Sequence, residues 1–254
     1  MDIDIKAHDK IVGLEKGLNI IQTFDEAHSR QTATQVAQRT SMSRTACRRF
    51  LLTLHHLGYL QSDGKLFWLT PKVMRLGQAY LESARLPRIV QPSLQRLAMG
   101  TQEISFVSVL DGFDVVYVAR NGENRNMNTS FALGARVPAH VTAAGMMLLA
   151  SFSDEPLETA LAELSLKAFT SHTITDKSRL IEQLKVAQQQ DWALSEQQLD
   201  LSYRGVSVPL RDHKGRVLAA LSVSMPIQNE STEDATARVL PLLKDVAQSL
   251  RQLL

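Results

Sequence analysis

The chain contains 254 residues, of which 44% are hydrophobic, and its formal net charge is +2, so two domains of ordinary size with packed cores are expected. No apolar run reaches the roughly 18 residues of a membrane span and the N-terminus has no hydrophobic signal segment, which predicts a cytoplasmic protein of bacterial type. The single cysteine, Cys47, excludes an intrachain disulfide and argues against a zinc cluster.

Basic charge is concentrated in the N-terminal third of the chain. Residues 1–85 carry a net charge of +4, whereas the remaining residues carry −2. A surface that faces phosphate groups has a physical reason to exclude carboxylates, since each one would repel the nucleic-acid backbone. No acidic residue occurs between Glu26 and Asp63, a stretch that contains Arg30, Arg39, Arg44, Arg48 and Arg49.

Three helices are predicted in this basic third. The first covers Gly13–Phe24, and its apolar stripe consists of Leu14, Leu18, Ile21 and Phe24. A short amphipathic helix over Thr32–Thr40 then leads through a tight connection into a basic helix. This succession is the helix-turn-helix arrangement.

The basic helix, within Ser41–Gly58, has two chemically different sides. Ser41 or Ser43 can cap its start, and Gly58 ends it. Arg44, Thr45, Arg48 and Thr53 lie away from the apolar stripe and Arg49 lies at its margin, so guanidinium groups face outward; a merely solvated basic face is the alternative. The stripe that anchors the helix consists of Cys47, Phe50, Leu51, Leu54 and Leu57.

A hairpin and a connecting helix follow. Tyr59–Leu69 contains two short apolar runs around Asp63-Gly64, a strong turn signal, and a hairpin in this place is a wing with Lys65 at its tip. Pro71 suits the first turn of a helix that continues to Ser83. The predicted units are therefore a winged helix-turn-helix domain over 11–71, a linker helix over 72–85 and a second domain over 86–254.

The second domain reads as α+β, because antiparallel strands are segregated from helices. The apolar runs 104–110 and 114–120 form a hairpin, and further strands are predicted over 128–131, 192–194, 203–210 and 217–225. Helices are predicted over 88–99, 142–150, 153–164 and 176–190, and from Ser231 or Thr232 to Leu253. Ser153 is the predicted cap of the helix over 153–164. The predicted buried side of the helix over 176–190 consists of Ile181, Leu184 and Ala187.

Several segments resemble the isocitrate-lyase regulator (IclR) family of bacterial transcription factors. In the first domain these are LEKGLNIIQTF, SRTACRRFLLTLHHLGYL and KLFWLTPKVMRLGQAYL; in the second the segment is LGARVPAHVTAAGMMLLA. The resemblance is closest to regulators of aromatic catabolism, through RRFLLTLHHLGYLQSDGK, LPRIVQPSLQRL and VSVLDGFDVVYVAR. It implies a GAF/PAS-like effector-binding domain, homodimers or tetramers, a palindromic double-stranded DNA site, and control by a small organic or aromatic acid.

For DNA, arginine can hold guanine O6 and N7 with two hydrogen bonds. We therefore expect Arg44 and Arg48 at or near base edges, Ser43 and Thr45 near phosphates, and Lys65 on the wing. The complete predicted DNA-binding set is Thr32, Thr34, Ser43, Arg44, Thr45, Arg48, Arg49 and Lys65.

For the effector, Ala143 and Ala144 begin a helix whose free N–H groups attract a carboxylate. His140 either borders the ligand or braces the helix, and Arg136 or Arg204 could pair with a second carboxylate, with a structural salt bridge as the alternative for Arg204. By the resemblance, the effector-binding set is Thr129, Phe131, Val137, His140, Thr142, Ala143, Ala144, Ser195, Tyr203, Arg204, Gly205, Ser222 and Ser224.

The chain departs from the family pattern at Met146, Met147, Ser202 and Gly205, which leaves the effector open. Three other functions stay possible: a regulator of the same family that senses a non-aromatic keto or dicarboxylic acid, a constitutive DNA-binding protein with an oligomerisation domain, and an enzyme. The chain contains no phosphate loop, nucleophile elbow or HExxH motif, so no catalytic residue, metal site or cofactor is predicted.

Overall fold

A computed structural model describes residues 5–6, 8–122, 131–152, 159, 161–162, 164–228 and 230–254. The chain divides into two compact units, Met1–Tyr80 and Leu81–Leu254. Among the described residues, no helix combines the length and the apolarity needed to cross a bilayer. The finer division into 11–71, 72–85 and 86–254 stays a prediction.

The N-terminal unit is a three-helix domain with a small antiparallel sheet of strand order β1-β3-β2, which confirms the predicted helix-turn-helix and wing. β1 was not predicted. A 3-10 turn, Pro71–Val73, precedes the connecting helix α4. The elements are α1 (Val12–Gln22), β1 (Gln31–Thr32), α2 (Ala33–Thr40), α3 (Arg44–His56), β2 (Leu60–Ser62), β3 (Leu66–Leu69) and α4 (Met74–Ser83).

The predicted apolar stripe of α1 is wrong in its first half. Leu14 and Leu18 are 62% and 45% exposed, whereas Ile20 is fully buried. A Cβ placed on Gly17 would lie 4.0 Å from the Phe50 ring, so α1 approaches α3 at a glycine. The packed face therefore runs Gly17, Ile20, Ile21 and Phe24, and a glycine in it conceals the helical period.

Both ends of α3 are capped as the sequence predicts. Ser43 Oγ accepts a hydrogen bond from Ala46 N at 3.2 Å. Gly58, at φ +79°, lets Tyr59 N donate to Leu54 O at 2.9 Å, which closes the helix with a Schellman motif. One correction concerns Leu57, which was assigned to the buried stripe but is 49% exposed because it is the C-cap residue.

The C-terminal unit contains a six-stranded antiparallel sheet of strand order β6-β5-β4-β9-β8-β7. A 3-10 turn over Ala139–Val141 leads into α6. The elements are α5 (Arg85–Thr101), β4 (Ile104–Asp111), β5 (Asp114–Asn121), β6 (Arg136–Pro138), α6 (Ala143–Leu149), α7 (Lys177–Gln190), β7 (Ala193–Glu196), β8 (Tyr203–Arg211), β9 (Val217–Pro226) and α8 (Thr232–Leu250).

The predicted α+β class, the hairpin and the strands over 203–210 and 217–225 are confirmed. The first helix of this unit begins at Arg85, three residues before its predicted start, with Pro87 in its first turn. On α7 Leu180 is fully buried, while Ile181 is only half-buried. The predicted strand over 128–131 and the cap Ser153 fall on residues that lie largely outside the described set.

Each face of the six-stranded sheet has its own core. On one face Val206, Leu221 and Val223 pack with α5 and α8. On the other face Phe106 and Tyr117 pack with α6 and α7. Because side chains alternate along a strand, β4 supplies both cores with neighbouring residues, Phe106 to one and Val107 to the other.

Helix α6 depends on Gly145. A Cβ at this position would lie 2.1 Å from Ala139 O and 2.4 Å from Ala139 Cα. Gly145 lies inside the predicted helix and permits contact with the preceding 3-10 turn. The contact brings the start of α6 close to the sheet.

Gly145→Ala is expected to destabilise the C-terminal unit by about 1–3 kcal/mol, because backbone atoms of Ala139 cannot yield as a side-chain end can. Denaturant unfolding of the full chain measures the change. Gly100→Ala is the matched control, since its Cβ would lie at an ordinary 3.7 Å from Leu242 Cδ1. Equal stability of the two variants would contradict the close packing.

Candidate functional site

The outer side of α3 presents three uncommitted guanidinium groups. Arg44, Arg48 and Arg49 are exposed, and none of these groups forms a hydrogen bond or ion pair with any residue that the structure describes. The opposite side of the helix is buried through Cys47, Leu51 and Leu54. The helix thus presents positive charge outward from a fixed position.

Two other arginines of the same unit, Arg39 and Arg30, are already engaged. Arg39 Nη2 lies 2.6 Å from Asp25 Oδ2, and the Arg30 guanidinium stacks over Trp68 at 4.4 Å from the ring centroid. A hydrogen bond from His28, together with the Arg39 ion pair, holds the pKa of Asp25 below its usual value. The structure therefore separates two structural arginines from the three on α3.

The polar residues predicted near DNA differ in whether their side chains already form hydrogen bonds within the protein. Thr45, Thr34 and Lys65 are exposed. The Thr32 hydroxyl is taken up in the capping box of α2, where it accepts from Gln35 N at 3.3 Å and donates to Gln35 Oε1 at 2.9 Å. Ser43 likewise caps α3, so its hydroxyl oxygen faces the helix start.

The hairpin tip that carries Lys65 is rigidly built. Asp63 Oδ1 accepts hydrogen bonds from Leu66 N at 2.8 Å and Lys65 N at 2.9 Å. These two backbone donors lower the pKa of Asp63. The one carboxylate near the tip is thereby turned into the turn itself, and the Lys65 ammonium extends from it.

In the C-terminal unit, a cavity lies between the start of α6 and the sheet. The empty space among its lining atoms is about 480 Å³, a figure that includes the opening to solvent. Ten of the thirteen residues predicted for the effector line it: Phe131, Thr142, Ala143, Ala144, Ser195, Tyr203, Arg204, Gly205, Ser222 and Ser224.

Four aromatic rings form one wall of the cavity. Phe106 lies 4.8 Å from Tyr117 and 5.9 Å from Phe131, centroid to centroid, and Phe131 lies 5.5 Å from Tyr203. Burial raises the pKa of the Tyr117 phenol, so this hydroxyl stays protonated. Such a wall favours a flat, apolar ligand body.

Hydroxyl groups supply the polar part of the lining. Ser195 Oγ donates to Val141 O at 2.9 Å, and Ser222 Oγ donates to Ser207 Oγ at 2.9 Å. Thr142 Oγ1 accepts from Gly145 N at 3.0 Å and keeps its own proton, and Ser224 Oγ forms no hydrogen bond with a described residue. As predicted, Ser222 and Ser224 alternate along β9 and both reach the cavity.

Six lining residues were missed: Phe106, Val141, Tyr117, Gln198, Leu199 and Asp200. Alternation in the runs 104–110 and 114–120 could have identified Phe106 and Tyr117 as members of one sheet face. No local pattern identifies the segment of Gln198–Asp200. Tertiary hydrogen bonds hold that segment, such as that from Thr173 Oγ1 to Gln198 O at 2.6 Å.

Of the two arginines predicted as partners of a second carboxylate, Arg204 lines the cavity and Arg136 does not. Arg136 is held by Asp111 and Asp114 at the β4–β5 turn, outside the lining. Arg204 belongs to the lining, but it is in register with Glu196 and Met225, on the sheet face opposite to Gly205. Its guanidinium lies 3.5 Å from Glu196 and donates to Glu230 O at 3.1 Å, which is the structural salt bridge that the sequence left as the alternative.

Three other predicted residues do not line the cavity or cannot be placed. Val137 is buried in the core beside α6. His140 is 1% exposed, and its Nε2 pairs with Lys167 O at 3.1 Å, so it braces the turn before α6. Thr129 lies outside the described residues. No group of residues that could hold a metal ion occurs in the described part of the chain.

Both units match the domains of one family. Residues 13–64 match the IclR helix-turn-helix domain, and residues 78–252 match the C-terminal domain of the bacterial transcriptional regulator IclR. The chain is 36% identical over 254 residues to the Pca operon regulatory protein of Acinetobacter baylyi, with 98% of this chain and 91% of the relative covered. It is 38% identical over 255 residues to the p-hydroxybenzoate hydroxylase transcriptional activator of that organism, with 98% and 94% covered.

A solved structure resembles the C-terminal unit. It is a double mutant of the inducer-binding domain of the transcription factor PobR from Acinetobacter, in complex with 3-hydroxybenzoic acid. The sequence identity is 32% and the TM-score is 0.64, with 67% of this chain and 100% of that chain covered. The likeness therefore extends through the part of the chain that contains the cavity.

The buried His140 predicts acid sensitivity. Burial lowers its pKa below the ordinary value of about 6.5, so the folded chain resists a proton that the unfolded chain accepts. Stability is then fully present above about pH 6.5 and is lost as the pH falls below it. Unfolding of wild type and His140→Gln between pH 7.5 and 5 measures this; the variant should show the weaker dependence, and parallel curves would contradict the assignment.

Proposed function

The chain belongs to the IclR family of bacterial transcriptional regulators, and we propose that it controls a catabolic operon in response to an aromatic acid. It is a regulator rather than an enzyme, as its family and relatives are. The proposal that the chain binds DNA rests on one observation, the exposed guanidinium groups of Arg44, Arg48 and Arg49 on α3. The aromatic cavity carries the effector part. We place the protein in the cytoplasm, on the nucleoid while it is bound to DNA.

In the proposed complex, α3 enters the major groove of its site. Arg44 and Arg48 reach base edges, and Arg49, Thr45 and Lys65 lie near phosphates. Carboxylates do not interfere, because Asp25 is neutralised by Arg39 and Asp63 is turned into the hairpin. Of the remaining predicted contacts, Thr34 is free to approach a phosphate, while Thr32 and Ser43 act first as helix caps.

The proposed assembly is a two-fold dimer on a palindromic promoter site, with a tetramer formed through the C-terminal units. Exposed apolar side chains on α1 and α4 support the dimer: Leu14, Leu18, Met74 and Leu76 are between 45% and 76% exposed. Large apolar side chains exposed on a helix can form part of an interaction site. A dimer would present two α3 helices about one helical turn of DNA apart.

The proposed effector is an aromatic acid held between the ring wall and α6. The ring body packs on Phe106, Tyr117 and Phe131. Its carboxylate accepts from the free Thr142 proton and from first-turn N–H groups at Ala143 and Ala144, rather than from an arginine. Relatives named for the pca operon and for p-hydroxybenzoate hydroxylase, and a similar domain in complex with 3-hydroxybenzoic acid, support this ligand class.

The four-ring wall favours an aromatic acid over the alternative, a non-aromatic keto or dicarboxylic acid. A cavity built of paired hydroxyls and rings also favours an effector domain over a domain that serves oligomerisation alone. The acid acts by binding one arrangement of the protein more tightly than the other, since only differential affinity shifts an equilibrium.

Arg48→Ala should weaken specific DNA binding by about 1–3 kcal/mol and relax one base position of the operator. Gel-shift titration over a series of operator variants measures both. Arg39→Ala is the matched control, because its charge is already neutralised by Asp25; unchanged binding by Arg48→Ala would refute its role.

Addition of 4-hydroxybenzoate, 3-hydroxybenzoate or 3,4-dihydroxybenzoate should raise the thermal unfolding midpoint of the full chain and change its affinity for promoter DNA. The stabilisation follows RT ln(1 + [L]/Kd) and therefore grows with ligand concentration. A shift only with short keto acids would favour the alternative effector class. No shift with either class, together with intact DNA binding, would favour the constitutive regulator.

A further inference from the structure

A serine pair beside the cavity has a forced hydrogen-bond direction. Ser207 Oγ lies 3.2 Å from Leu221 O, and a carbonyl oxygen can only accept. Ser207 therefore donates its one proton to Leu221 and can only accept from Ser222, whose Oγ lies 2.9 Å away. The proton of Ser222 is thus directed away from the cavity.

The hydroxyl of Ser195, on β7, likewise has no proton left for the cavity. Its Oγ donates to Val141 O at 2.9 Å, so its one proton is also used. Ser195 and Ser222 both line the cavity, yet each offers it lone pairs and no proton. At these two serines the cavity therefore accepts hydrogen bonds and does not donate them.

The remaining hydroxyl at the start of α6 has the opposite character. Thr142 Oγ1 accepts from Gly145 N, and its proton is not used by any residue within the described ranges. The cavity therefore has a side that donates, at Thr142, and a side that accepts, at Ser195 and Ser222. A ligand that fits both presents a carboxylate to the first side and an O–H donor to the second.

We propose that Ser207, which does not itself reach the cavity, sets the ligand specificity by holding Ser222 as an acceptor. The inference deepens the proposed effector function and rests on it. The site then selects aromatic monocarboxylates that carry a ring hydroxyl and rejects dicarboxylates of the same shape. A second carboxylate placed at Ser195 and Ser222 would meet their lone pairs, and neither serine would have a proton to share with it.

Ser207 acts as a positioning residue. It is fully buried, paired across the strands with Ser222, and absent from the lining. Loss of its hydroxyl leaves Ser222 without an internal acceptor. The Ser222 proton then turns into the cavity, where it can meet a carboxylate as readily as a phenol, so discrimination falls while the cavity keeps its shape.

The test compares four probes by calorimetry on the full chain: 4-hydroxybenzoate, 3,4-dihydroxybenzoate, benzoate and terephthalate. Wild type should bind 4-hydroxybenzoate about tenfold more tightly than benzoate, as expected for one hydrogen bond. It should bind terephthalate at least about tenfold more weakly than 4-hydroxybenzoate. Ser207→Ala should reduce the ratio of the affinity for 4-hydroxybenzoate to that for terephthalate about tenfold, chiefly because terephthalate binds more tightly.

Ser105→Ala is the matched control, because Ser105 is another buried strand serine, whose Oγ donates to Leu94 O at 3.1 Å, outside the cavity lining. It should leave both ratios unchanged, and thermal unfolding shows whether each variant is folded. If Ser207→Ala does not fold, Ser207→Cys, with its weaker hydrogen bonding, replaces it.

Three outcomes overturn the inference. If Ser207→Ala lowered the affinity for every probe equally, Ser207 would have only a structural role. Wild type that binds terephthalate as tightly as 4-hydroxybenzoate would show that the serines do not reject a carboxylate. Binding of none of the four probes would overturn the aromatic effector as well, whereas the first two outcomes leave the effector intact and refute the specificity mechanism alone.

Discussion

The alternation of side chains across β8 and β9 is the constraint on which the C-terminal unit depends. Val206, Leu221 and Val223 enter the core beneath α5 and α8, while Gly205, Ser222 and Ser224 face α6 and the cavity. A shift of one residue in register would exchange the two sets. The same alternation places Arg204 on the sheet face opposite to Gly205, where its guanidinium lies near Glu196 and donates to Glu230 O.

Close packing at the start of α6 completes the cavity. Gly145 allows the helix to approach Ala139 O, Ser195 binds the carbonyl of Val141, and the buried His140 ring is held by Lys167 O. Together these contacts hold the segment from 139 to 145 in place. A rigid polar edge thus faces the four aromatic rings, and such preorganisation favours binding because little order remains to be imposed.

The N-terminal unit concentrates positive charge on one side of α3. The guanidinium groups of Arg44, Arg48 and Arg49 repel one another unless counter-charge or DNA is near. The unit uses its few carboxylates elsewhere, with Asp25 on Arg39 and Asp63 on the backbone of its own turn. The cationic side of α3 is left for phosphate and base edges, while Cys47, Leu51 and Leu54 anchor the helix to its core.

The sequence by itself determined the helix-turn-helix, the hairpin and the α+β class, because caps, turn glycines and hydrophobic periods are local signals that act within a few residues. Most of the cavity lining was predicted through the resemblance to the family and not from such local signals. It misplaced the packed face of α1, since Gly17 replaces an apolar residue at the contact with Phe50. Tertiary structure alone decided that the Arg204 guanidinium donates to Glu230 O and that the His140 ring is bonded to Lys167 O before α6. It also decided that Gln198–Asp200 lines the cavity and that Ser222 is hydrogen-bonded to Ser207. These outcomes depend on which strands lie side by side and where a proton finds its acceptor, and neither is encoded in the spacing of residues along one segment.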